Sequence, residues 1–339
     1  MNDVARLAGV SLKSVSRVVN GERHVSAPLA ARVRNAVDTL GYRPDLHAST
    51  LRRTDRRSAT IGLLLEDVGN PFSAALHRAV EDVAREHDVH VLIGSIDGSP
   101  RREGELARAF TMRRADGLII VPAGPDQSYL AGEIRADTPV VFVDRPGHGI
   151  PADTVLATNA LGAADATRHL IAHGHRRIAC LGDHVRIATA QRRRDGFTSA
   201  LRAAGIAPEV SLLLPGLHTA AAAEEAVLAL FRRPDPPTAL FTSQNMVTVG
   251  AVRALHRLGL HRRVALVGFD DFPLADLLDP GVSVVAQDPA TMGRTAAEAL
   301  FRRIEGEGGP PTEFWISTRL IARGSGELPP PARGSSRVG

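Results

Sequence analysis

Hydrophobic positions follow two different rhythms along this chain of 339 residues. Near the start they keep the helical repeat. Residues 2–8 place Val4, Ala5, Leu7 and Ala8 on one face of a short helix that Gly9 ends. Ser11 is placed to cap a second helix running to about Asn20, with Val15, Val18 and Val19 inward and Lys13, Ser14 and Arg17 outward. Gly21 ends that helix. A third is capped by Ser26, carries Pro28 in its first turn, buries Val33, Ala36, Val37 and Leu40, and stops at Gly41. Two short helices joined by a glycine-containing turn, with a third behind them, form a helix-turn-helix, whose second helix lies in the major groove of DNA.

From Thr60 the rhythm changes. Short apolar runs at 60–65, 89–93, 117–121, 139–143, 177–181, 238–242 and 263–268 read as strands. Helical stretches at 72–87, 101–114, 161–173, 190–204, 219–232 and 247–259 lie between most of them. Strand–helix alternation without hairpin signals predicts parallel sheets covered by helices on both faces. About 265 residues favour two such sheets over one. Ligands of such sheets bind in the crevice beyond the carboxyl ends of the strands. Residues 327–339 are rich in Pro, Gly and Ser and predict a disordered tail.

Charge separates the two parts. Residues 1–57 hold eleven basic and five acidic residues, a net +6, while the remaining 282 hold 30 and 32, a net −2. A cationic head on a nearly neutral body suits attraction to phosphate. Lys13 is the only lysine. The single cysteine, Cys180, excludes a disulfide framework and a multi-cysteine zinc site, and its apolar strand marks it as inert core. The start MNDVARLAGV lacks a secretory pattern, and no apolar run reaches the roughly 18 residues of a membrane span, so a cytoplasmic protein with no membrane partner is expected. Motifs for a Ser nucleophile, a phosphate loop, a zinc protease or a dinucleotide are absent, so no enzyme, cofactor or metal is predicted. The thirteen histidines are scattered, and helix capping accounts for His173 and His175.

The run DVARLAGVSLKSVSRVVNGERHVS, followed by LGYRP and HASTLRR, resembles the LacI/GalR (lac repressor/galactose repressor) family of bacterial transcriptional regulators. The resemblance continues through LLLEDVGNPF, VVFVDRP, HLIAHGHRRIACLG, RRRDGF, VALVGFDDFPLADLLDP and VVAQD. It implies an α/β fold class: an all-α helix-turn-helix head at 1–43, a hinge helix at 44–57, and a periplasmic-binding-protein-like, two-lobed parallel-sheet body at 58–326. The first lobe would take about 58–157 and 289–318, the second about 158–288 and 319–326.

The resemblance also implies roles. Leu12, Lys13 and Arg17 occupy base-reading positions, where arginine can clasp guanine and leucine can meet a thymine methyl. Ser11, Ser16, Asn20, His24 and Ser26 fall at phosphate-contacting positions, although capping alone also suits the serines. In the hinge, Leu51 matches a minor-groove wedge and Ala48 permits close helix packing at the dyad. Two departures stand out. No threonine cap precedes the first helix, so either that helix is uncapped at a cost of about 1 kcal/mol or the start codon lies upstream. Leu29 and Ala30 replace a Thr-Arg pair of the third helix.

Polar residues after the strands are the pocket candidates: Glu66, Asn70, Asn245, Asp270 and Gln287, with Phe72 able to stack on a sugar face. Arg193 in RRRDGF matches the family's effector-binding arginine. Gln244-Asn245 replaces the family's Asn-Asp, leaving the effector's identity open. The function implied is a sequence-specific DNA-binding transcriptional regulator, a repressor, switched by a sugar bound between the lobes. Its expected partners are a palindromic double-stranded operator and a second copy of the chain, a homodimer. A sugar-binding protein of the same fold serving transport or sensing without operator binding, and an enzyme acting on a sugar, are the rival readings.

Overall fold

The computed structural model describes residues 1–19, 25–42, 57–132 and 138–331, and it divides into two units, Met1–Ala59 and Thr60–Gly339. In the first unit, helices α1 (Asn2–Ala8), α2 (Leu12–Val19) and α3 (Ala27–Thr39) enclose a small core of Val4, Ala8, Val15, Val33 and Ala36. Gly9 takes the left-handed conformation that ends α1. The Ser11 hydroxyl then accepts the Ser14 N–H at 3.2 Å and starts α2. Ser26 stands at the start of α3 without a side-chain capping bond. Two expected core residues are not buried: Leu7 is 52% and Leu40 46% exposed. At about 100° per residue Leu7 lies off the face defined by Val4 and Ala8, and Leu40 follows the last helical residue.

The second unit is built on two six-stranded sheets. One uses β1 (Thr60–Leu65), β2 (His90–Ser95), β3 (Leu118–Ile120), β4 (Val140–Val143), β5 (Asp153–Ala157) and β11 (Glu313–Ile316), in the order β11-β5-β4-β3-β1-β2. The other uses β6 (Ile178–Leu181), β7 (Leu213–Leu214), β8 (Ala239–Thr242), β9 (Ala265–Phe269), β10 (Ser283–Ala286) and β12 (Arg319–Ile321), in the order β12-β10-β9-β8-β6-β7. Every pairing is parallel except β10 with β12. Helices α4 (Pro71–Glu86), α5 (Pro100–Met112) and α10 (Pro289–Ile304) cover the first sheet. Helices α6 (Asn159–Ala172), α7 (Ala188–Ala203), α8 (Ala220–Leu230) and α9 (Asn245–Arg257) cover the second.

Strand alternation divides each core. On β1, Ile61, Leu63 and Leu65 face α4 and α10, while Leu64 turns to the α5 side with Phe110 and Phe142. Cys180 is buried beside Phe197 and Phe241, and burial pushes its thiol up to about 12. That suits an inert core residue.

The chain passes between the sheets three times: from β5 into α6, from β10 into α10, and from β11 into β12. Thr158 and Thr318 tie two of these passages, their hydroxyls 3.1 Å apart and the Thr318 N–H donating to the Thr158 hydroxyl at 2.9 Å. Gly162 keeps this junction tight, since a Cβ there would stand 2.6 Å from the Thr318 hydroxyl and 2.7 Å from a Val285 methyl.

The expectation of disorder from residue 327 fails at its start. Ser325–Glu327 forms a 3₁₀ turn and Leu328 packs on the second lobe's core. The Ser283 hydroxyl donates to Glu327 at 3.0 Å, and His175 Nε2 donates to the Leu328 carbonyl at 2.8 Å. Composition alone does not register these long-range partners. Residues 332–339 lie outside the described part.

Candidate functional site

On the head, helical geometry sets Leu12, Lys13, Ser16 and Arg17 along one side of α2 and Val15, Val18 and Val19 along the other. Val15 is fully buried, whereas Leu12 and Lys13 are exposed and Ser16 and Arg17 half-buried. An exposed leucine beside two cations is a surface that can meet both a thymine methyl and guanine acceptors. Ser11 and Ser26 are both exposed, at the starts of α2 and α3. Asn20, His24, Ala48 and Leu51 lie outside the described residues.

In the second unit, all seven pocket candidates line one cleft of about 220 Å³ between the sheets: Glu66, Asn70, Phe72, Arg193, Asn245, Asp270 and Gln287. Topology accounts for this convergence, because the carboxyl ends of β1, β8, β9 and β10 open toward it. Asn70 begins α4, its Oδ1 accepting the Phe72 N–H at 3.0 Å. Across the cleft it exchanges two amide bonds with Asn245: its Nδ2 donates to Asn245 Oδ1 at 3.1 Å and accepts in return through Oδ1 at 2.9 Å. These bonds join the two lobes directly.

Arg193 is 5% exposed and organises the floor. Its guanidinium donates to Asn159 Oδ1 at 2.6 Å, the Ser243 carbonyl at 2.7 Å and Asp270 at 3.1 Å, and lies 3.8 Å over the Phe269 ring. Gln287 Nε2 donates to the other Asp270 oxygen at 2.6 Å. Asp144 and Asp270 hold matching places in the two lobes. Each ends a strand with φ of 68° and donates its N–H to the neighbouring strand, Asp144 to Val155 and Asp270 to Val285. Such backbone strain is stored where a side chain must be aimed.

Sequence reasoning does not single out Asp144, Arg145, Asp183, Thr189 or His218, which line the same cleft, and it names Gln244 only as a departure from the family's pair. Asp144 and Arg145 carry a usable signal, since they follow β4 as Asp270 follows β9. Burial pushes the Asp144 carboxyl up, opposed by Arg145 and then Arg193. Arg145 approaches Glu66 to 2.5 Å. That contact is an ion pair without hydrogen-bond alignment, which leaves both Glu66 oxygens buried without hydrogen-bond partners, and Arg145 Nε and Gln287 Oε1 are buried without them as well. Buried polar atoms left this way are costly, and a hydroxyl-bearing ligand would satisfy them.

Residues 1–45 match the family of bacterial regulatory proteins, lacI family, and residues 167–326 match the periplasmic binding protein-like domain. Over 307 residues the chain is 31% identical to the ribose operon repressor of Haemophilus influenzae, covering 90% of this chain and 92% of that one. The chain belongs to the LacI family. Another relative of the LacI family, the HTH-type transcriptional regulator GalS of Salmonella typhimurium, is 33% identical over 308 residues, 90% of each chain. The structure of the transcriptional regulator CelR in complex with cellobiose matches with a TM-score of 0.70 and 29% identity, over 95% of this chain and 98% of that one. As a member of the LacI family, this chain is a DNA-binding transcriptional regulator with an effector-binding body, not an enzyme. The match of the head to the lacI family disfavours a transport protein of the same fold. Among the described residues no helix is long and apolar enough to cross a membrane.

Proposed function

We propose that the protein is a cytoplasmic repressor that binds a palindromic operator as a homodimer and is switched by a small sugar held in the cleft. The observation that carries the sugar is the set of buried atoms on Glu66, Arg145 and Gln287 that lack hydrogen-bond partners and line the same cleft as Phe72. Acceptors, a guanidinium donor and an apolar ring in one cavity suit a ring of hydroxyls with an apolar face. A volume of about 220 Å³ lies below the range of about 300–1,000 Å³ typical of clefts for drug-sized ligands, and suits nothing larger than a monosaccharide. CelR, similar to this chain, was solved with cellobiose.

In this reading residues 1–43 form the head, and Leu12, Lys13 and Arg17 read bases. Ser11, Ser16, Asn20, His24 and Ser26 set register on phosphates. Residues 44–57 form the hinge, where Ala48 and Leu51 meet the minor groove. The lobes are about 58–157 with 289–318 and about 158–288 with 319–326, and a change in their angle moves paired hinges. Coupling of about 1–3 kcal/mol is enough for a useful switch.

The test is a thermal-shift screen of the whole chain against pentoses and hexoses, with nucleobases as a comparison set. Fluorescence anisotropy on palindromes near its own gene follows. A monosaccharide should stabilise the protein and change operator affinity at least fivefold. Stabilisation by nucleobases alone would overturn the sugar assignment, and indifference of every duplex to scrambled competitor would overturn the operator.

A further inference from the structure

Three metal-competent side chains meet on the second lobe's rim of the cleft. Asp183 and His184 lie in the loop after β6, and His218 stands just before α8, 34 residues beyond His184. The two loops are stitched together: the Gly216 N–H donates to the Asp183 carbonyl at 3.1 Å, and the Leu217 N–H to the Gly182 carbonyl at 2.9 Å. We propose that Asp183, His184 and His218 bind a divalent ion of the zinc class, with one coordination position left to the effector. The last clause rests on the reading of the cleft as the effector site.

Donor atoms of the three residues lie within 4.8 Å of one another. His218 Nδ1 is 3.0 and 3.1 Å from the two Asp183 oxygens. A tetrahedral ion with bonds of about 2.0–2.1 Å holds adjacent donors about 3.3 Å apart, so these two are already at bonding spacing and His184 needs to approach by at most about 1.5 Å. Two imidazoles and a carboxylate are the donor set of zinc sites that keep a fourth position open. Asp183 and His218 line the cleft, so that position would border it.

An outer layer fixes the carboxylate. Gln244 Nε2 donates to Asp183 Oδ2 and to the His218 carbonyl, both at 3.2 Å, and the His184 N–H donates to Asp183 Oδ1 at 2.6 Å. An Asp183–His218 ion pair alone would not account for the His184 ring, which stacks on His218 with centroids 5.6 Å apart and planes 22° apart.

The experiment titrates Co²⁺ into the whole chain, without an affinity tag, and reads visible d–d absorption. One tight Co²⁺ per chain with the intense bands of a tetrahedral site, displaced by Zn²⁺, is the expected result. His184→Ala and His218→Ala should each weaken binding by more than 100-fold, and Gln244→Leu by about 10–100-fold. His218→Gln with an unchanged melting profile guards against misfolding. Absent stoichiometric binding, or binding untouched by His218→Ala and His218→Gln, would overturn the site and leave an ion pair only. A stabilising sugar from the screen should shift the Co²⁺ spectrum. A spectrum indifferent to it would overturn the shared position, and neither metal reading depends on operator binding.

Discussion

Asn70→Asp tests whether the amide pair holds the lobes together. Asn70 uses Oδ1 as an acceptor twice, for the Phe72 N–H at 3.0 Å and Asn245 Nδ2 at 2.9 Å, and donates through Nδ2 to Asn245 Oδ1 at 3.1 Å. Aspartate retains both acceptor roles, including the cap of α4. It loses the donated bond and sets an oxygen against the Asn245 oxygen. An acceptor stranded in this way costs about 1–3 kcal/mol while the lobes are together, and nothing once water reaches it. The balance should move about 5–150-fold toward parted lobes. Small-angle scattering of the free protein should show a larger radius of gyration. Calorimetry with the stabilising sugar should show weaker binding by a similar factor, because competence for binding falls with the population of joined lobes. Asn70→Ala should be worse by about 1 kcal/mol in stability through loss of the cap. Identical scattering and affinity in Asn70→Asp would refute the reasoning, since aspartate removes the donated bond while keeping the cap.

Four further outcomes are expected. Arg193→Met leaves Asp270 without its guanidinium and should cost about 3–5 kcal/mol, read as a lower denaturation midpoint with unchanged operator binding by the folded fraction. Gly162→Ala drives a methyl against Thr318 and Val285 and should cost about 1–3 kcal/mol; a melting temperature equal to the parent would contradict the tight junction. Arg17→Ala should flatten preference among operator variants more than it lowers non-specific affinity, measured by anisotropy with competitor duplexes. Asp153 accepts two bonds from Arg303 and one from the Thr312 N–H, each at 2.8 Å; burial pushes its carboxyl up, but these bonds outweigh it and hold it below 3.8. Its contribution is therefore full above pH 3.8 and is lost as pH falls through the lowered value, so the midpoint gap between parent and Asp153→Asn should close on acidification.

Legibility in the sequence followed the range of the interactions. Helix α4 occupies Pro71–Glu86, within one residue at each end of the 72–87 that its periodicity predicts. The strands that periodicity misses depend on distant partners. β5 opens with Asp153, an acid that reads as loop until Arg303 and Thr312 are brought to it. β7 has two residues, while β11 and β12 are half-exposed edge strands, so these three show no buried run; β10, Ser283–Ala286, does show one and is passed over by the reading. The strand-end rule, with the family resemblance supplying Arg193, gathers seven residues into one cleft, and the rule also selects Asp144 and Arg145 when applied after β4. His218 was out of its reach, because its place on the rim depends on the pairing of two loops. Leu7 and Leu40 show the opposite error: a helical wheel records which side is apolar, not how far a three-helix core extends.

Lys13, exposed on α2, is the only lysine in the chain. Apart from the amino terminus, the molecule therefore carries one primary amine, and it sits on the helix proposed above to read bases. Acylating reagents would act as a footprinting probe with a single internal address, their yield falling when a duplex covers that helix. The same chemistry delivered by an acetylating enzyme would erase one positive charge from the reading surface and leave the arginines of the body untouched.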